Sequence, residues 1–503
     1  MTFTRTIIEL AERDPGRLAI AGDGERLTYR DLFDESTRIR SGIEELLRDR
    51  PASASGDSET GGVPIIAVSF GRAIDAGRFV AGIASFRAIV AVLDPLWPLG
   101  HRLETVRRVQ PALVITDDAE LEQALGGLDA WAGGAVSLAR FDEVAAAAPV
   151  SAGPEVRPRD EPYLLLFTSG TTDLPKGFLR TRGSWDYNVG VSRRHLFAEE
   201  GIATIAPGPV SYSLTLYALV EVLATGGSLH LQSRFDAADA VRTIAGERVE
   251  RFVGVPSMLL ALAAAARRGG ALDSLRWVIT GGANQSQRIR DVFVAAAPNA
   301  RLRSYYGASE IGFIGYSDEG DGTRLVPFDG VEVRVRDDAG EPVPDGEIGT
   351  LHVRVASAVE RYLSATSAER ITAADGFSSV DDLASIVDGA IVLAGRAGDI
   401  AVTGGHKVSL PQVERALATV PGCESCCAIA LPDASLGSIV AVVVEGAEVP
   451  EKAVMQAELR RLLPEQFVPR RYYRAEELPR TAGGKIRRVA VAELVAAGGA
   501  ERL

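Results

Sequence analysis

The residues best suited to chemistry lie between Thr168 and Gly177, in the run "TSGTTDLPKG". Thr168, Ser169, Thr171 and Thr172 offer hydroxyl donors, and Gly170 and Gly177 let backbone N–H groups approach a ligand. Lys176 adds a compact positive charge. Phosphate is the ligand that such a group fits. The run is not a Walker A loop: Pro175 stands where that motif needs glycine, and Gly177 follows the lysine in place of Ser or Thr. The competing reading is a polar strand-to-strand turn. A plain turn has no need of these hydroxyls and a lysine together.

Further runs extend the pattern in a fixed order. They are "WVITGGA" (Trp277–Ala283), "SYYGASEIGF" (Ser304–Phe313), "SVDDLA", "LAGRAGDI", "GGHKVSLPQVE" and "LPRTAGGKIRR". Together with "AIVAVLDPLWP" and "LTYRDL", they make the chain resemble the adenylate-forming superfamily along nearly its whole length. That superfamily contains acyl-CoA and aryl-CoA synthetases, peptide-synthetase adenylation domains and luciferases. Its phosphate loop, T-S-G-T-T-G-x-P-K-G, is matched at every fixed position except Asp173.

The resemblance implies a two-step reaction. A carboxylate attacks the α-phosphate of ATP, giving an acyl-adenylate and pyrophosphate; a thiol or amine then displaces AMP. By resemblance, Thr168, Ser169, Gly170, Thr171, Thr172 and Lys176 would cradle the outer phosphates. Gly282, Ala283, Tyr306 and Gly307 would form the adenine side, with Tyr306 stacking on the base. Ser309 would hydrogen-bond the α-phosphate, and Glu310 would hold Mg²⁺, a hard cation that takes oxygen ligands. Asp382 would accept both ribose hydroxyls, and Arg396 would contact the ribose too. Lys485 would neutralise charge between carboxylate and α-phosphate in the transition state. Tyr212, Ser213 and Gly281 would line the acid pocket, and Gly398 would be the hinge on which a small domain pivots.

Four departures bear on this expectation. Asp173 replaces a glycine; a unit charge about 6 Å from phosphate at an effective dielectric of about 20 costs roughly 3 kcal/mol per phosphate charge before screening. Val380 and Asp381 stand where the family has threonine and glycine before Asp382. Gly398 replaces the usual Asp or Lys, which makes pivoting sterically easy but less tightly latched. Ser213 occupies the place where amino-acid-activating members carry an aspartate for the substrate ammonium. A serine cannot neutralise a buried ammonium, so an acid without an α-amine is expected. The acceptor is expected to be coenzyme A, with a carrier-protein phosphopantetheine or another nucleophile as the alternative. Arg267, Arg268, Arg470 and Arg471 are candidates for the 3′-phosphate of coenzyme A. A member that binds nucleotide without turnover is the non-enzymatic alternative.

These residues must be positioned by a large scaffold. Short apolar runs such as "PIIAVSF", "IVAVLDP", "PALVITDD", "IATIAPG", "SLHLQ", "RFVGVP" and "RWVITGG" read as buried strands. Helical stretches, among them "LTYRDLFDESTRIRSGIEELL" and "AGRFVAGIASFRA", separate them. That alternation predicts an α/β fold of parallel sheets with helices on both faces. After about Pro327, "VEVRVRD", "GEIGTLHVRV" and "AIVLAGR" alternate with period two, which predicts antiparallel hairpins. The expected division is a large N-terminal part over 1–395, β-rich over about 327–395, a hinge at 396–399 and a small α+β part over 400–503. Within the last, "KVSLPQVERALATV" and "VMQAELRRLL" read as helices, "CCAIAL" and "IVAVVVEG" as strands, and the end as a basic tail. The polar run Asp49–Gly62 reads as a surface loop.

Bulk properties narrow the partners. The chain has 503 residues, too many for one core. Its net charge of −13 argues against nucleic acid or an anionic membrane as the main partner. No apolar run reaches the length of a membrane span, and charges come too early at the N-terminus for a secretory signal, so a cytoplasmic location is expected. Cys423, Cys426 and Cys427 have a spacing that invites a zinc reading. A structural zinc site wants four ligands and no histidine lies close downstream, so buried core is expected. Which acid is activated, and the oligomeric state, stay open at this level.

Overall fold

The computed structural model describes residues 2–48, 57–168, 174–266, 272–282, 285, 287–319, 322–403, 406–433, 435–480 and 486–503. Three sheets organise the described residues. In the first, the strand order is Gly134–Ser137, Leu113–Thr116, Ile65–Ser69, Ile89–Val92, Pro162–Phe167 and Gly177–Thr181. All pairs in it are parallel except the last, which is antiparallel. Every residue of Ile65–Ser69, Ile89–Val92 and Leu113–Thr116 is buried, as continuous apolar strands in a covered parallel sheet require.

The second sheet has 13 strands among the described residues. Its parallel part runs through Arg301–Ala308, Trp277–Thr280, Arg251–Gly254, Ala203–Pro207, Ser228–Gln232 and Leu18–Gly22. Beyond Arg301–Ala308 it continues as an antiparallel arm made of Gly312–Ser317, Arg324–Pro327, Ala390–Arg396, Asp382–Val387, Gly349–Arg354 and Glu332–Arg336. The change to antiparallel pairing therefore begins before Pro327, at the hairpin that carries Ser309 and Glu310. The helix Ala73–Ile83 sits between the first two sheets. A Cβ on its Gly77 would meet Ile20, Leu219 and Leu231, and one on Gly82 would stand 2.7 Å from Ile39.

The third sheet belongs to the small C-terminal domain. Its path is His406–Ser409, Ile400–Thr403, Gly437–Glu445, Arg471–Ala475 and Glu501–Arg502, with Cys426–Asp433 also paired to Gly437–Glu445. The three cysteines are buried, and burial pushes each thiol above its ordinary range.

Local signals explain several boundaries. Leu27 and Thr28 end a strand, and the helix starts at Tyr29, because Thr28 and Asp31 form a capping box. The run "KVSLPQVERALATV" divides likewise: Lys407–Ser409 is strand, and the helix Leu410–Leu417 begins after Ser409, whose hydroxyl accepts from Gln412 N. The basic tail is a helix, Arg488–Ala496, followed by a short strand. Within the polar run Asp49–Gly62, Asp57–Thr60 is a helical turn and Thr60 is buried; 49–56 lie outside the described residues.

Candidate active site

The phosphate-loop run joins the antiparallel strands Pro162–Phe167 and Gly177–Thr181. Its neck is closed twice: Thr168 N donates to the Lys176 carbonyl at 3.0 Å, and Lys176 N donates to Thr168 Oγ1 at 3.3 Å. Ser169, Gly170, Thr171, Thr172 and Asp173 lie outside the described residues. Gly177 differs from expectation. Its N–H donates to Thr366 Oγ1 at 2.9 Å, and a Cβ there would press on Leu165 and Phe167. This glycine serves close packing and leaves no free donor for a ligand. The Lys176 ammonium bonds both oxygens of Glu369 at 2.7 Å and lies 5.3 Å from the ring centre of Tyr362.

Ser309 and Glu310 occupy the turn between Arg301–Ala308 and Gly312–Ser317. The strand pair is irregular at Gly307, where a Cβ would stand 2.4 Å from the Gly312 carbonyl oxygen, so only glycine fits. Ser309 Oγ lies 2.6 Å from Ser213 Oγ, which brings the expected acid-pocket residue against the expected α-phosphate residue. The Glu310 carboxylate accepts from the Tyr362 hydroxyl at 2.9 Å. Nearby, the Tyr306 hydroxyl donates to Asp382 Oδ2, and Arg396 Nε donates to Oδ1 of the same carboxylate at 2.9 Å. Asp382 and Arg396 face each other across paired strands. Burial raises the Tyr306 phenol well above its usual range, and the Asp382 charge raises it further. Tyr362 is raised too, by burial and then by Glu310. Both tyrosines therefore remain proton donors to their carboxylates.

Gly281 and Gly282 follow the strand Trp277–Thr280. A Cβ on Gly281 would stand 2.6 Å from the Tyr305 ring, and Gly282 adopts φ +78°. Ala283 lies outside the described residues. Tyr212 precedes the helix Ser213–Thr225, and its hydroxyl is buried with no hydrogen-bond partner among the described residues. Burial, then the nearby Asp94 charge, raises its phenol.

Asp381 has φ +61°, the left-handed conformation that glycine adopts most easily and Asp tolerates. This gives a physical reason for a glycine at that place in the resembling family. Gly398 sits exposed in the single turn Ala397–Asp399, with nothing within 4 Å of an added Cβ. Its φ is not in the left-handed region, so its special freedom is not used in this conformation. Two arginines flank the turn: Arg396 on Asp382, and Arg488, whose Nε donates to Asp399 at 2.7 Å and which also pairs with Glu414. Lys485 lies outside the described residues, as do Arg267 and Arg268. Arg470 is exposed and Arg471 half-buried, and neither has an ion pair among the described residues.

Tyr362 and Glu369 were not singled out from the sequence. Both lie far along the chain from the residues they touch, and no local pattern marks them. Glu310 has the character of a ligand for a hard cation. It is half-buried and accepts one phenolic hydrogen bond, and no cation lies within 4 Å of it among the described residues. A single protein carboxylate suits Mg²⁺, which takes its remaining ligands from phosphates and water.

The comparisons with known proteins give the class of the chain, an adenylate-forming enzyme. The family described as "AMP-binding enzyme" matches residues 8–363, and "AMP-binding enzyme C-terminal domain" matches residues 412–485; the chain belongs to this family. An uncharacterised acyl–CoA ligase, YhfT, of Bacillus subtilis (strain 168) is 27% identical over 501 residues, covering 97% of each chain. A feruloyl-CoA synthase of Amycolatopsis sp. is 31% identical over 348 residues, covering 65% of this chain and 68% of that one. Among solved structures, ATP-bound MatB from Rhodopseudomonas palustris has a TM-score of 0.84 at 20% identity, covering 98% of both chains. The anthranilate CoA ligase AuaEII in complex with anthranoyl-AMP reaches 0.88 at 20% identity, covering 99% of this chain and 98% of that one. These two likenesses concern the fold.

Proposed function

We propose that the protein activates a carboxylic acid lacking an α-amine as its acyl-adenylate, releasing pyrophosphate. It then passes the acyl group to the thiol of coenzyme A, releasing AMP. The observation that carries this reading is Tyr362. Its ring lies under the Lys176 ammonium while its hydroxyl holds Glu310, so a phosphate-type cation and a metal-type carboxylate meet at one place. The neighbouring Tyr306–Asp382–Arg396 cluster supports a nucleoside position beside them.

In this reading Lys176, Thr168 and the loop between them bind the outer phosphates, and Lys176 exchanges Glu369 for the triphosphate. Ser309 donates to the α-phosphate, and Ser213 beside it borders the acid. Tyr306, Gly307, Gly282 and Ala283 enclose the base, and Asp382 accepts from the ribose. Tyr212 and Gly281 line the acid pocket. Glu310 would hold Mg²⁺, which would supply charge neutralisation on the phosphates. Lys485 enters from the small domain and stabilises the charge that develops as the acid oxygen attacks. The proposed division is 1–395, a hinge at 396–399 turning at Gly398, and 400–503. No helix among the described residues is long and apolar enough to cross a membrane, and a cytoplasmic location stays part of this proposal.

The test is pyrophosphate exchange over a panel of aliphatic, aryl, hydroxy and amino acids, followed by mass analysis of products. The expected outcome is exchange with acids lacking an α-amine, and a coenzyme A thioester on adding coenzyme A. Transfer only to a phosphopantetheinyl carrier protein would move the acceptor assignment there. Silence across the panel would favour nucleotide binding without turnover.

A further inference from the structure

Arg180 lies in the strand Gly177–Thr181, directly after the phosphate loop, and it is fully buried. Buried cations are normally paired with a carboxylate. Arg180 has no ion pair among the described residues. Its guanidinium instead forks onto two backbone carbonyls, those of Ser309 and Ser357, and reaches the Tyr217 hydroxyl at 3.5 Å. Its Nε has no partner among the described residues.

The place where the fork lands matters. The Glu310 carbonyl accepts from Val359 N at 2.9 Å, and the Ile311 carbonyl accepts from Ser357 Oγ at 2.7 Å. With Arg180 on the Ser309 carbonyl, three successive carbonyls, Ser309 to Ile311, are tied down. Two of the ties come from the segment Ser357–Val359, and Arg180 also holds that segment through the Ser357 carbonyl. The turn and its buttress are thus joined by one buried side chain. Gly312, at φ +104°, has no room for a Cβ between Asn188 and Ser357, so the residue just after the turn also packs closely against that segment.

We propose that Arg180 is a positioning residue: it fixes the turn that presents Ser309 to the α-phosphate and Glu310 to Mg²⁺. This rests on the roles proposed above for Ser309 and Glu310. A planar fork is needed to hold two carbonyls at once, and the point charge of lysine cannot copy it.

The test uses the full chain and the β,γ-imido analogue of ATP, so it needs no knowledge of the acid. Binding is measured by calorimetry with Mg²⁺ and with a chelator, for wild type, Arg180→Lys, Arg180→Met and Glu310→Gln, with thermal unfolding of each. Arg180→Lys serves if the methionine variant does not fold. Wild type is expected to bind more tightly with Mg²⁺. The Arg180 variants are expected to lose most of that gain, about tenfold or more, while binding without Mg²⁺ changes little. A general structural defect would weaken both conditions alike, and that result would overturn the proposal. Folded Arg180 variants that keep the full Mg²⁺ gain, while Glu310→Gln loses it, would overturn the Arg180 assignment alone. A Glu310→Gln protein that keeps the gain would remove the reading of Glu310, and the Arg180 assignment with it.

Discussion

The turn bearing Ser309 and Glu310 and the turn Ala397–Asp399 are built on opposite plans. In the first, three successive carbonyls are tied, the carboxylate is held by Tyr362, and glycines at 307 and 312 are forced by contact. In the second, Gly398 is exposed with open space around it, and the side-chain ties lie at the two ends, on Arg396 before the turn and on Asp399, its last residue. In the proposed reading, the ties hold still the end that meets the phosphates, and Gly398, exposed with room around it, is the residue that takes up a rotation. Preorganised donors and charges stabilise a transition state only if they do not move, whereas a domain that serves two half-reactions must move.

This contrast can be broken in four ways. Lys485→Ala should have the largest effect, lowering adenylation by about 10²–10³-fold, read as pyrophosphate exchange. Thioester formation from supplied acyl-adenylate should largely survive; equal loss of both steps would remove the lysine from the first. Gly398→Pro fixes φ at the open turn and should slow the thioester step by about 10²-fold. Adenylation should persist, and single-turnover assays of each half separate the two outcomes.

Tyr362→Phe keeps the ring under Lys176 but removes the donor to Glu310. It should raise the Michaelis constant for ATP by about fivefold, or roughly 1 kcal/mol, the worth of one such bond. An unchanged constant would show that Glu310 needs no such support. The smallest effect belongs to Asp381→Gly. Glycine takes φ +61° without strain but adds freedom to the unfolded chain, so stability should shift by no more than about 1 kcal/mol in chemical denaturation. Asp381→Val should destabilise clearly, because a branched side chain resists that conformation.

How much of this was legible beforehand varies with the range of the interaction. The hydroxyls, glycines and lysine of Thr168–Gly177 are contiguous, so a phosphate-binding role can be proposed from the sequence alone. The parallel strands could be read because buried apolar runs are local. The Tyr362–Glu310 and Lys176–Glu369 contacts could not, since they depend on tertiary packing between segments with no shared pattern. Arg180 reads in sequence as one more polar residue in a strand; only its burial gives it meaning. The helix Arg488–Ala496 is hard to read because the basic run Lys485–Arg488 leads into it and looks like a solvated tail. The sequence reads Gly177 as letting a backbone N–H approach a ligand, whereas the structure uses it for packing against Leu165 and Phe167 and bonds its N–H to Thr366.

The central claim is that one nucleotide spans the cluster from Tyr306 to Lys176. A crystal structure with the β,γ-imido analogue of ATP and Mg²⁺ tests it most directly. The base is expected against Tyr306, the ribose on Asp382, the metal on Glu310 and the outer phosphates on Lys176, with Glu369 released. A triphosphate bound elsewhere, with the Lys176–Glu369 pair intact, would contradict it.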